Sequence, residues 1–227
     1  MHVLRGHWQL LLLTAGLFAL WQTPVAIPLK ILVVFLHEAS HALMTWATGG
    51  EVVSLTISPS QGGEVWSRGG NPFLTLSHGY LGSLLIGVGL LLLALRTALD
   101  RIVVAGFGLA MVVIAVLLIR DLYALFFTMG VGVLLLLAAR YLSLRSNDLI
   151  LRIIGLSSMI YVPFDIFSDT IARSQLPSDA RMLAEEFGGA TVIWGGFWLL
   201  VSLATISWCV LRGLGTNSNL WRQGPRV

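Results

Sequence analysis

Residues 36–42 read Leu36-His37-Glu38-Ala39-Ser40-His41-Ala42, an H-E-x-x-H pattern set in an apolar stretch. His37 and His41 are four residues apart, so a helix puts both imidazoles on one face, one turn apart. That spacing lets both bind one zinc ion, and Glu38 is then placed to take a proton from a zinc-bound water. Zinc lowers the pKa of such a water to about 7, which makes hydroxide available at neutral pH. The rival reading is a structural or proton-relay cluster. Each ionisable group inside a membrane helix costs roughly 2.5–3.5 kcal/mol on insertion scales. Three between residues 37 and 41 need compensation, and a bound cation supplies it, which favours zinc.

A catalytic zinc takes three protein ligands and a water. His2 and His7 precede the first apolar run, His78 reads as a packed or interfacial histidine, and Cys209 is the sole cysteine, so a Cys-based site is excluded. The better source is Tyr161-Val162-Pro163-Phe164-Asp165-Ile166-Phe167-Ser168-Asp169, with two carboxylates four apart at the end of an apolar run. Asp165 is the expected third ligand. Asp169 is the alternative, or a group that orients a histidine from behind.

These residues need elements to hold them. The chain has 227 residues, 56% hydrophobic and 11% charged. A soluble domain carries about 25% charge, so composition excludes a soluble enzyme and a disordered chain. With no run of Lys or Arg to track phosphates, it also excludes a nucleic-acid-binding domain. An all-α polytopic protein, spanning the lipid bilayer several times as one domain over residues 1–227, is expected. Seven spans fit the apolar runs, at roughly 8–25, 29–48, 72–95, 101–119, 122–141, 149–169 and 190–211. The first resembles a signal peptide but has no small-x-small site before the prolines, so it reads as a span. Pro24 and Pro28 separate it from the second. Spans two and six run parallel, which brings His41 and Asp165 within roughly 5 Å of equal depth.

After Gly49-Gly50, Val53, Leu55 and Ile57 alternate with Ser54, Thr56 and Ser58, and a turn at residues 60–63 leads to Glu64-Val65-Trp66. This reads as a β-hairpin over about residues 51–67. Residues 170–189, with Arg173, Asp179, Arg181, Glu185 and Glu186, read as an exposed amphipathic segment. Gly79, Gly82, Gly87, Gly89, Gly106 and Gly108 read as helix-packing glycines, and Arg120-Asp121 as a neutralising pair at a span end. In the seven-span arrangement one face holds Arg96, Arg101, Arg140, Arg145, Arg152, Arg212, Arg222 and Arg226. The other, which holds the hairpin, has Arg5, Arg68, Arg120, Arg173 and Arg181. The positive-inside rule makes the first face cytoplasmic.

An H-E-x-x-H in a membrane helix, a hairpin directly after it and a later membrane aspartate resemble the site-2 protease class of intramembrane metalloproteases, the M50 family, in its M50B-like branch. The first motif matches fully. The second keeps Pro163 and Asp165 but lacks the family's final glycine, and Ser157 stands where an asparagine is the family's residue. The resemblance implies a multi-pass protein of the cell membrane that cleaves membrane-protein substrates within or near a transmembrane segment. It implies zinc held by His37, His41 and Asp165, with Glu38 as general base. It also implies a zinc site in the cytoplasmic half, the reverse of the arginine count. The hairpin would either hold the substrate by strand addition or simply cap the bundle. Two other functions fit the same residues: an inactive relative that binds membrane segments, and a cation transporter using the His/Glu/Asp cluster.

Overall fold

The computed structural model describes residues 2–220, so Arg222 and Arg226 of the arginine count lie outside the described residues. Helices dominate: α1 (His2–Leu20), α2 (Ile27–Ala47), α3 (Pro72–Arg96), α4 (Asp100–Leu118), α5 (Leu122–Tyr141), α6 (Leu144–Phe167), α7 (Asp179–Phe187) and α8 (Thr191–Trp208). Strands β1 (Glu51–Ile57) and β2 (Gly63–Arg68) form a hairpin between α2 and α3.

Six helices among the described residues are long and apolar enough to cross a membrane. These are α2 with its preceding 3-10 turn, α3, α4, α5, α6 and α8. The chain is therefore an all-α, multi-pass membrane protein with one small hairpin. α1 carries most of the expected first span. It lies beside residues 219 and 220: Asn219 Nδ2 donates to the Arg5 carbonyl (2.8 Å) and the Leu220 amide to Gln9 Oε1 (2.6 Å).

Helix starts follow local chemistry. The Asn71 side chain accepts from the Leu74 amide ahead of Pro72, Ser143 caps α6 and Ser178 caps α7. Asp121 caps α5 through the Ala124 amide and accepts a hydrogen bond from Thr56, so one carboxylate ties the hairpin to the bundle. The expected Arg120–Asp121 pair is absent among the described residues, since Arg120 donates to three carbonyls at the end of α4. Arg152 is likewise no loop charge. It lies buried within α6, paired with Asp148 at 2.7 Å.

α2, α3 and α6 form the centre. A Cβ at Gly155 of α6 would stand 2.6 Å from the Gly87 carbonyl of α3, and Ser158 Oγ donates to the Ser83 carbonyl at 2.8 Å. Small residues thus let the two backbones approach closely. Gly108 and Gly132 do the same between α4 and α5, while Gly89 and Gly106 meet nothing within 4 Å and so carry no such packing.

The hairpin is antiparallel, with Leu55 opposite Val65 and Ile57 opposite Gly63. A register irregularity between Val52 and Ser54 shifts the side-chain alternation. Val52, Leu55 and Ile57 therefore face inward, and Val53, expected on the same face as Leu55, is exposed. α7 buries Ala180 and Leu183 against α3 and α8, so the 170–189 segment is docked on the bundle rather than wholly exposed.

Candidate metal centre

α2 presents His37, Glu38 and His41 between its midpoint and its last turn and a half. Gly49 stops the helix at φ 82°, a left-handed conformation that only glycine adopts at low cost, and the chain turns at once into β1. The hairpin consequently folds over the end of α2 that bears the histidines. α3 begins on the same side, α6 ends there, and α7 crosses close by.

The Nε2 atoms of His37 and His41 are 2.9 Å apart. Asp179 Oδ2, from the first turn of α7, lies 2.9 Å from the former and 3.2 Å from the latter. Two ligands on one tetrahedral zinc, with bonds of about 2.0–2.2 Å, stand about 3.3–3.5 Å apart. The observed separations fall a few tenths of an ångström short of that. His41 Nδ1 is 2.8 Å from the Thr75 carbonyl. A carbonyl only accepts, so Nδ1 holds the proton and Nε2 turns its lone pair inward, the tautomer a metal requires. The donor set and its outer support therefore fit a zinc ion. Burial raises the cost of charge on Asp179, but the imidazoles of His41 and His37 outweigh it and hold the carboxyl below its ordinary range.

Among the described residues, the one group of histidines, cysteines and carboxylates close enough to share an ion is His37, His41 and Asp179. Asp165 and Asp169 are outside that group but line the same cavity, of about 870 Å³, with Glu38, Glu64 and Tyr80. Asp169 accepts from the Tyr80 hydroxyl at 2.9 Å and from Arg173 at 2.6 Å. The Tyr80 ring stands edge-on to His37, centroids 4.6 Å apart. The Asp169–Tyr80 bond thus braces a histidine through the tyrosine ring rather than touching it. His78 is apart from the cluster, against Gly82.

Glu38 is 5% exposed, lines the cavity and makes no hydrogen bond or ion pair among the described residues. The hairpin reaches it directly, since a Cβ at Gly63 would lie 2.5 Å from Glu38 Oε1. Gly79 serves the histidines similarly, because a Cβ there would stand 2.5 Å from both Nε2 atoms. Gly79→Ala is expected to weaken zinc binding at least about tenfold, with helical content and elution volume unchanged. Gly89→Ala, which fills open space, is expected to match the native protein in the same chelator competition.

Sequence reading missed Asp179, Thr75 and Tyr80, and took Gly79 for general helix packing. The available signal was Ser178-Asp179 after Pro177, a helix start that puts a carboxylate in its first turn. Residues 10–209 match the family described as Peptidase M50B-like, and the chain belongs to that family. No curated protein and no solved structure matches the chain.

Proposed function

We propose that the protein is a zinc-dependent intramembrane endopeptidase in which His37, His41 and Asp179 hold the ion and Glu38 is the general base. The observation that carries this reading is the convergence of three lone-pair donors beside a buried, unpaired glutamate in a membrane bundle. Zinc bound there would polarise a peptide carbonyl and lower the pKa of water at the site to about 7.

The chain's own residues do the rest. Glu38 accepts the proton of the attacking water and delivers it to the departing amide nitrogen. The Thr75 carbonyl holds His41 in the tautomer that ligates. A helical substrate shields its peptide bonds by its own hydrogen bonding, so the segment must be drawn out before hydrolysis. β2 lines the cavity from Gly63 to Ser67, where a substrate strand could add to its edge.

The test is reconstitution in lipid nanodiscs with a co-reconstituted single-span reporter. Stoichiometric zinc and cleavage of the reporter are expected, with cleavage lost on chelation and restored by zinc. Absence of bound zinc would refute the metal assignment. Bound zinc without cleavage, joined to cation flux in liposomes that depends on His37 and Glu38, would replace the protease with a transporter.

A further inference from the structure

The ladder between β1 and β2 ends at Ile57 opposite Gly63, and Gly63 is the residue whose missing side chain makes room for Glu38. A substrate strand added to β2 therefore runs off the end of that edge beside the general base. Residues 58–62 form the tip beyond it, and their backbone closes on itself. The Ser58 N–H donates to the Gly62 carbonyl, the Gln61 N–H to the Ser58 carbonyl and the Gly62 N–H to Ser58 Oγ. The tip thus has few backbone donors left for the substrate's next peptide group. Yet every peptide N–H and C=O taken out of water needs a partner.

Gln61 stands at that point and lines the cavity with Glu38 and Gly63. Four of the lining side chains carry N–H groups: His37, His41, Gln61 and Arg173. The histidines face each other and Asp179, and Arg173 is bound to Ser168 and Asp169. The Gln61 amide makes no hydrogen bond among the described residues. Its backbone is a second, independent observation. Gln61 has φ 64°, and among the described residues it is the one non-glycine in this left-handed region. Glycine adopts that conformation at low cost, and Gly62 and Gly63 follow at once, so the turn alone has no need of a glutamine here. Such outliers cluster at active sites and ligand clamps. From these placements we infer that the Gln61 side-chain amide hydrogen-bonds the backbone of the bound substrate, at the peptide group that runs past the end of β2. A carboxamide carries the same donor and acceptor as a peptide group and matches it at both atoms. The contact reads no side chain, so it holds a segment extended beside Glu38 whatever its sequence. This rests on the protease reading and adds a substrate-binding residue to it.

The test separates the two. Zinc-loaded Glu38→Gln protein in nanodiscs, the parent, is titrated with the reporter's membrane segment as a fluorescent peptide, and with versions in which its backbone amides are replaced one at a time by esters. An ester lacks the N–H and is a weaker acceptor. Adding Gln61→Gly is expected to weaken binding of the all-amide peptide about tenfold, the size expected for two ordinary hydrogen bonds. Zinc content is expected to be unchanged and the thermal midpoint no lower than in the parent, since glycine suits the turn. One ester position is expected to weaken binding to the parent about tenfold but to the Gln61→Gly protein less than about threefold, because its partner is already gone. Unchanged or tighter binding of the all-amide peptide by Gln61→Gly, the result for a residue that serves only the turn, overturns the clamp. Ester effects that simply add to Gln61→Gly at every position overturn it too. Either result alongside cleavage of the reporter by the native protein leaves the protease standing without the clamp. Non-additivity at one position with no cleavage supports the clamp and removes the protease. A parent that binds no peptide removes both.

Discussion

Asp179→Ala is expected to lower zinc affinity by at least about a hundredfold, beyond the range seen when an outer-shell partner is lost. Asp165→Ala and Asp169→Ala are expected to keep stoichiometric zinc. The reason is geometric. Asp179 Oδ2 sits 2.9 and 3.2 Å from the two histidine nitrogens, close to the spacing of ligands on one ion. The other two aspartates line the surrounding wall, Asp169 occupied by Tyr80 and Arg173. Removing the Asp179 carboxylate leaves two neutral imidazoles, too few for a catalytic zinc. Asp179→Asn keeps size and the α7 packing but loses the charge, so its loss is expected to approach that of alanine. Metal analysis after gel filtration and competition with a chelator measure all four variants. Zinc retained by Asp179→Ala and lost by Asp165→Ala would make Asp165 the ligand.

Much of this fold is legible in local patterns. The i, i+4 histidines, the apolar runs and the hairpin each depend on a few neighbouring residues, and the structure has all of them. The equal depth of α2 and α6 follows from counting spans, and both elements line one cavity. Asp179 was not legible in this way. It is 142 residues from His37, in a segment whose Arg181, Glu185 and Glu186 resemble a solvated face. Only the docking of Ala180 and Leu183 against α3 and α8 turns its carboxylate inward. Asp165 drew attention because a carboxylate in a span demands explanation, and that rule identifies a functional wall without saying which wall atom meets the ion. Val52 and Val53 exchanged faces because of one irregular residue in β1, which alternation alone cannot reveal.

The glycines carry a related lesson. Gly79 and Gly89 both look like helix-packing residues in an apolar run. A side chain at Gly79 would occupy the space of two imidazoles, while one at Gly89 meets nothing. The difference is set by which face of α3 looks at α2. Gly63 belongs to the same class, a turn glycine by sequence that leaves room for Glu38 in the structure. The histidines and the glutamate are thus fitted by absences of side chain on two neighbouring elements. A close approach of this kind holds the two histidines and the glutamate by packing.

Glu38→Gln is expected to keep zinc at native stoichiometry and to reduce cleavage by about 10²–10⁴-fold, the usual share of general acid–base catalysis. The amide has the carboxylate's shape, so it fits beside Gly63 and leaves the hairpin in place, where Glu38→Ala would open a hole. It cannot accept a proton from water, so the step that makes the nucleophile is lost. The carboxylate makes no hydrogen bond or ion pair among the described residues, hence no bracing contact is lost with it. Zinc content and cleavage must therefore move apart in this variant, whereas in Asp179→Ala they fall together. Parallel single-turnover assays on both variants, with metal content measured on the same samples, distinguish a base from a ligand. Full proteolysis by Glu38→Gln would show that the proton goes elsewhere, and the remaining cavity carboxylates, Asp165 foremost, would become the next bases to test.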